Sequence, residues 1–379
     1  MTRNRARPPG EVPLDICVAH ISAYPLGHLS GINRVILSLS SAITSQGVRF
    51  VLWCPENGAV EPVLDIVPIP VPPGSARNLA LAARTFFGLV RKRSGFDLIH
   101  AHQPHIQSLA ALLAGRILGV PSILTLHVRV PRAGFSRLAD GVLARLGGKL
   151  AREVVAVADR VRQDYGIEPC SVIHNGVTSS PAESGPEAGP PSAPGVGAGL
   201  HLIFAGRVTE TKGIFVLLQA LARASSRAGR IRLTTYGSID QLERYEEAKR
   251  SLGIQDIVED RGFREDWREQ LRPGQVFVLP SFYEGLPMAM LEAMAGGLCV
   301  VATPVGGISD VVLPNRTGLL VPPGDAAKLS QALVWLAENS GAARSMGREA
   351  RKLVEAEYTD HKMAVAYGGL YYALFNRSR

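Results

Sequence analysis

Short apolar runs, each trailed by a segment of helix length, recur along the chain, stop once, and then begin again. This alternation constrains the fold more than any single residue does, because it calls for parallel sheets wound through βα units. The first series places strands at residues 15–21, 48–54, 98–100, 122–126 and 154–157, with helices at 32–46, 76–93 and 106–118. It is interrupted by SSPAESGPEAGPPSAPGVGAG, residues 179–199, a composition that cannot bury a core and reads as a linker or exposed loop. The second series places strands at 202–205, 231–236, 257–260, 276–279 and 299–301. Two doubly wound units follow, and in such sheets ligands sit beyond the carboxyl ends of the strands. Two units facing one another make a cleft.

The expected organisation is a disordered tail at 1–13, an amino-terminal Rossmann-like unit at 14–178, the linker at 179–199 and a second unit at 200–357. A terminal helix at 358–379 is expected to pack back on the first unit. A chain of 379 residues, 46% hydrophobic and 20% charged, has ample material for two cores. Its longest apolar stretch, 108–126, is broken by Arg116 and Pro121 and falls short of the roughly 20 residues that cross a bilayer. The Arg/Pro-rich start has no apolar segment of signal-peptide kind behind it, so a cytoplasmic protein is expected. Cys17, Cys54, Cys170 and Cys299 are far apart with no CxxC pair, which reads as reduced core thiols.

Charge is distributed unevenly. Residues 1–180 hold 19 Lys and Arg against 11 Asp and Glu, whereas 181–379 hold 22 of each, so the first half carries the whole +8 excess. Arg84, Arg91, Lys92 and Arg93 flank Phe86, Phe87 and Leu89, and a second group comprises Arg129, Arg132, Arg137, Arg145, Lys149 and Arg152. A basic, partly apolar surface suits anionic lipid headgroups, and would make the protein peripheral on the inner face of the membrane. Nucleic acid is not an expected partner, because aromatic stacking platforms are scarce.

The stretch FYEGLPMAMLEAMAGG, 282–297, raises the chemical question. Glu284 falls in the loop after the 276–279 strand, Pro287 suits a first helical turn, and Glu292 lies on the second turn among apolar residues. A buried carboxylate needs a partner, either a core arginine or an oxygen-rich ligand. The helix amino terminus favours an anion or such a ligand. Spacing alone decides nothing, because Glu349 and Glu357 are also eight residues apart within REARKLVEAEY, a charged helical face with no preceding strand, glycine or proline.

The segment PSFYEGLPMAMLEAMAGGLCVVATPVGGISDVV, 280–312, resembles the glutamate-seven-residues-glutamate signature of the family 4 retaining glycosyltransferases. HLSGINRVILSLSSAI, FDLIHAH, LTLH, VIHNGV and FAGRVTETKGI agree with that family in the same order. The resemblance implies the GT-B fold, two Rossmann-like domains facing across a cleft. It assigns Glu284 to the donor-sugar hydroxyls, Glu292 to the nucleotide ribose, and Arg207 and Lys212 to the donor diphosphate. Gly206, Gly285, Leu286, Gly306 and Gly307 complete the donor side, Gly31 faces a phosphate from the other domain, and His127 stands beside the donor sugar. The expected catalytic group is therefore His127, Arg207, Lys212 and Glu284. Glu210 and Asp310 are lesser candidates, Asp310 standing where the family usually has glutamate.

His100, His102 and His105 in HAHQPH could converge on a metal, yet the family carries similar histidines without one. With no Asp-x-Asp pair in the chain, no metal and no cofactor are expected. The implied reaction moves a sugar from a nucleotide diphosphate sugar, UDP by family base rates, to an acceptor hydroxyl with retention, in bacterial polysaccharide or glycolipid assembly. A glycan or lipid-linked acceptor would be its partner. Rival readings are a nucleotide-sugar epimerase or glycan phosphorylase on the same fold, or an inactive glycan- or lipid-binding homologue.

Overall fold

A computed structural model describes residues 16–25, 31–56, 64–71, 77–128, 134–178, 199–228 and 231–378. The expected amino-terminal tail, and the expected linker apart from its last residue, lie outside the described residues.

The first unit runs β1 (Ile16–Ile21), α1 (Gly31–Ile43), β2 (Val48–Pro55), β3 (Asp65–Ile69), α2 (Arg77–Arg91) and β4 (Leu98–His102). It continues through α3 (Ile106–Leu118), β5 (Ser122–Leu126), α4 (Gly134–Leu150), β6 (Glu153–Ala156), α5 (Asp159–Tyr165) and β7 (Ser171–Val172). The second unit runs β8 (Leu200–Ala205), α6 (Ile214–Ala228), β9 (Ile231–Tyr236), α7 (Leu242–Leu252), β10 (Val258–Asp260), β11 (Val276–Leu279) and α8 (Met288–Ala295). After it come β12 (Cys299–Ala302), α9 (Ile308–Val311), β13 (Gly318–Leu320), α10 (Ala326–Glu338), α11 (Ser340–Glu357) and α12 (Asp360–Arg377).

Every strand pairing is parallel, in a seven-stranded sheet ordered β3-β2-β1-β4-β5-β6-β7 and a six-stranded sheet ordered β10-β9-β8-β11-β12-β13. Strands β1, β4, β5, β11 and β12 are buried from end to end; β11 and β12 are accordingly continuous apolar runs, while the other three also bury His20, His100, His102, Ser122 and Thr125. In each sheet the strand order reverses beside the first strand, between β1 and β4 and between β8 and β11. Connections leave in opposite directions there, opening a crevice at the carboxyl ends. The residues that follow β1, β4, β8 and β11 are therefore placed by topology in position to meet a ligand.

Helix α12 is capped by Thr359, whose hydroxyl accepts from Lys362 N–H, and packs against α1 of the first unit. Its Tyr371 hydroxyl reaches His100 Nδ1 at 2.7 Å, and its Tyr367 hydroxyl lies 3.0 Å from Thr125 Oγ1. Cys17, Cys54, Cys170 and Cys299 are all buried thiols. Strands β3, β7 and β13 were not expected from the alternation. Each is an edge or near-edge strand with little apolar signal: β3 contains Pro68 and is half exposed, β7 has two residues, and β13 has three and opens on glycine.

Candidate active site

The second unit supplies the ionic wall of the cleft. β8 ends at Ala205, and Gly206 takes a φ of +137° that turns the chain out of the sheet. Arg207 follows with its side chain 73% exposed and its guanidinium 3.9 Å from Asp240. Lys212 closes a short 3-10 turn, Glu210–Lys212, capped by Thr209, and α6 begins two residues later. Its ammonium pairs with Glu284 Oε1, to which Ser281 Oγ also donates at 2.8 Å. The structure thus brings Lys212 and Glu284 together and leaves Arg207 facing solvent. Glu210 is an exposed partner of Arg244 at 2.9 Å, away from this pair.

Loop residues 280–287 carry Glu284 past the end of β11 to Pro287, which is the N-cap of α8. Glu292, on the second turn, is buried, and its partner is a protein side chain from the other unit. Arg34 Nη1, on α1, donates to Oε1 at 2.9 Å and to Oε2 at 2.7 Å. The arginine partner weighed from the sequence is thus supplied by α1. Burial lifts the Glu292 carboxyl above its ordinary range, although Arg34 and Arg268 both pull it down.

Gly285 and Gly306 allow backbone contact where a side chain would collide. A Cβ on Gly285 would lie 1.7 Å from the His127 carbonyl oxygen, across the cleft. Gly306, at a φ of +54°, would place one 2.1 Å from the Glu284 carbonyl. Gly307 N–H donates to Gly285 O at 2.6 Å, and the buried Leu286 accepts from Asn175 Nδ2 of the first unit at 2.8 Å. Asp310 sits in the first turn of α9 with Oδ2 buried and no partner for it among the described residues, and burial raises its pKa.

Besides Arg34, the first unit supplies uncharged groups. Gly31 opens α1, exposed and with nothing close to its Cβ direction. His127 follows β5, and its backbone N–H donates to Gln103 Oε1 at 2.7 Å while Gln103 Nε2 donates to Val128 O at 2.6 Å. Gln103 holds this grip from a left-handed backbone, φ +64°. His127 Nε2 lies 2.9 Å from His102 Nδ1, and His102 Nε2 lies 2.9 Å from His20 Nδ1. His100 Nδ1 meets Tyr371, and its Nε2 lies 2.7 Å from Thr125 Oγ1. Burial pushes His127 down to about 3 and holds His20, His100 and His102 well below the usual imidazole range.

His20, His100 and His102 have ligand nitrogens within 4.8 Å of one another, the one such group of potential metal ligands among the described residues. Five of its six ring nitrogens already make hydrogen bonds, and only His20 Nε2 is without one. His105 lies apart from it, at the N-cap of α3 with Nε2 3.4 Å from the Tyr24 hydroxyl.

Arg34, Gln103, Asn175 and His20 were missed from sequence. His20 had a visible signal, a polar residue at the end of the apolar run ICVAHI. The role of Arg34 depends on a contact 258 residues away and had none.

Two facing parallel sheets with the candidate site residues gathered at the carboxyl ends define the GT-B fold. The family described as Glycosyl transferases group 1 matches residues 199–339, and Glycosyltransferase Family 4 matches residues 29–180. The chain belongs to this family and is a glycosyltransferase. It is 30% identical to the alpha-maltose-1-phosphate synthase of Mycolicibacterium smegmatis, over 72% of this chain and 77% of that protein. It is 27% identical to the D-inositol 3-phosphate glycosyltransferase of Arthrobacter sp. FB24, over 86% of each. Among solved structures, Anabaena HepE in complex with UDP and glucose superposes with a TM-score of 0.77 at 18% identity, covering 95% of this chain and all of that one. Sucrose-phosphate synthase from Thermosynechococcus elongatus gives 0.75 at 20% identity, covering 96% of this chain and 100% of that one. Among the described residues no helix is long and apolar enough to cross a membrane.

Proposed function

We propose that the protein transfers a sugar from a nucleotide diphosphate sugar, UDP favoured, to an acceptor hydroxyl with retention of anomeric configuration. The observation that carries this reading is the placement of Arg207, Lys212 and Glu284 beyond β8 and β11, opposite His127 and against the first unit at Gly285. Arg207 and Lys212 stabilise the departing diphosphate. The bond from the anomeric carbon to the diphosphate oxygen breaks, the bond to the acceptor oxygen forms on the same face, and the acceptor proton passes to the departing phosphate. Glu284 accepts from sugar hydroxyls, and Glu292 takes the ribose while sharing or releasing Arg34. Gly31, Gly206, Leu286, Gly306 and Gly307 line the donor. No metal or other cofactor is required.

The acceptor in this reading is a glycan or an anionic, lipid-linked molecule met at the inner face of a membrane, in polysaccharide or glycolipid assembly. What supports it is the outer face of α2, α3 and α4, where Leu79, Phe87, Val90, Leu113, Ile117 and Leu146 are exposed among Arg84, Arg91, Lys92, Arg116 and Arg145. Binding to anionic vesicles that weakens with salt is expected, and absence of binding at low salt removes this part.

A thermal-shift panel of UDP, GDP, ADP and dTDP sugars tests the donor, since a bound donor raises the melting temperature according to its occupancy. Release of nucleoside diphosphate only in the presence of acceptor excludes an epimerase and a phosphorylase. A panel without any shift would refute the nucleotide-sugar reading. Turnover should persist in EDTA.

A further inference from the structure

The line of imidazoles that ends at His127 limits what this ring offers the cleft. Each of its two N···N contacts, both 2.9 Å, holds one proton between two nitrogens. Burial keeps all three rings neutral, so each carries one proton. A neutral His102 has one N–H and one lone pair, and the two contacts must therefore run in the same direction. Opposed directions would make His102 an anion or a cation in a fully buried place.

Two arrangements remain. With the bonds running inward, His127 Nε2–H donates to His102, His102 Nε2–H donates to His20, and the last proton sits on His20 Nε2. That nitrogen is buried without a partner, on a ring whose centroid is 3.9 Å from that of Phe50. With the bonds running outward, His20 Nδ1–H donates to His102 Nε2, and His102 Nδ1–H donates to His127 Nε2. The last proton then lies on His127 Nδ1, and only a lone pair is left at His20 Nε2. An orphaned buried N–H is rarer and costlier than an under-used acceptor, so the outward arrangement prevails over the free side chain's own bias toward Nε2–H. Ring rotation offers no escape, because turning His102 over would put carbons where Nδ1 and Nε2 now meet His127 and His20 and lose both bonds.

We propose that His20 and His102 are positioning residues that hold His127 in its Nδ1–H tautomer, so that it presents a hydrogen-bond donor to an oxygen of the sugar donor. The role at the sugar rests on the proposed function; the tautomer does not. In this form His127 is neither a general acid nor a general base. Its open nitrogen selects an acceptor atom, a sugar hydroxyl oxygen or a phosphate oxygen.

The test uses the full chain labelled with 15N-histidine and long-range 1H–15N correlations, with His127 assigned by loss of its signals in His127→Gln. A pyrrole-type Nδ1 and pyridine-type Nε2 at His127 are expected, and the reverse pattern overturns the relay without need of a folded variant. In His20→Phe the outward donor is lost, so His127 should become a mixture of tautomers and kcat should fall about tenfold. His20→Asn, whose side-chain N–H replaces the Nδ1–H, should restore both. A His20→Phe protein with the same fall and an unchanged His127 spectrum overturns the relay in favour of a packing role. Unchanged turnover in His127→Ala, with the expected wild-type spectrum, overturns only the contact with the donor.

Discussion

Glu284 and Glu292 are eight residues apart, as are Glu349 and Glu357, and the two pairs have opposite surroundings. The first pair straddles the turn from β11 into α8, with side chains 9% and 7% exposed, against Lys212 and Arg34. The second pair lies along α11, 35% and 58% exposed, against Lys352 at 2.8 Å and Lys362 at 2.9 Å. Equal spacing along a chain therefore says little about chemistry until the elements beneath it are known. Pro287 separates a loop carboxylate from a helical one, whereas Glu349 and Glu357 share one helix.

The largest effect is expected at Glu292. Replacement by alanine strands Arg34 at the contact between the units, and loss of one partner from a buried pair costs about 3 kcal/mol. A denaturant midpoint would read it. Nucleotide affinity should fall as well. The double variant Glu292→Met with Arg34→Met should recover most of the stability and none of the affinity. Affinity that survives Glu292→Ala would leave this glutamate a structural partner of Arg34 and take away its ribose role.

At Glu284 the comparison is sharpened through its cation. Lys212→Ala should lower turnover about 100-fold with little change in donor affinity, the pattern of a contact that matters most in the transition state. Arg207→Ala removes an exposed group and should leave stability within about 0.5 kcal/mol while lowering turnover about tenfold. Equal losses of turnover and affinity in either variant would assign that cation to ground-state binding instead.

The fold was legible because strands covered on both faces leave short, mostly apolar runs, and β5, β9 and β11 fall on the residues expected from them. Among the edge strands, β10 falls within its expected range, whereas β7 and β13 have too few residues to leave a pattern and β3 is interrupted by Pro68. In the site, the acids and cations that follow β8 and β11 could be read because topology places such residues at the sheet ends. What could not be read is pairing between the units. Arg34 is one arginine on an amphipathic helix until α8 is brought against α1, and Gln103 looks like a loop residue until it grips the His127 backbone. The histidines of HAHQPH raised the question of metal, but the partner that organises them, His20, lies in another strand more than 80 residues away.

A smaller effect separates the two pairs by pH. Because burial raises the Glu292 pKa in the folded chain above its unfolded value, the folded state binds the proton more tightly. Stability from this group is present in full below the unfolded pKa and is lost as pH rises through the folded one. Glu292→Gln, which keeps an acceptor for Arg34, should therefore flatten the fall in stability just above the ordinary glutamate range. Glu349 has the opposite sign, since the hydrogen bond from Lys352 and its charge lower its pKa. Glu349→Gln should flatten a gain in stability as pH rises through its folded pKa toward the unfolded value. An unchanged profile in Glu292→Gln would mean that Arg34 fully offsets the burial.

The smallest expected effect is the control. Glu349→Gln with Glu357→Gln removes two exposed ion pairs, each of which trades modest attraction against the entropy of two long side chains and is screened by salt. Stability at neutral pH should stay within about 0.5 kcal/mol, and turnover and donor affinity should be unchanged. A loss of turnover here would break the comparison at its root. It would mean that α11, which packs on α8 and β12, transmits its surface charge to the donor site, and that burial is then an insufficient guide to which glutamates of this chain act on the ligand.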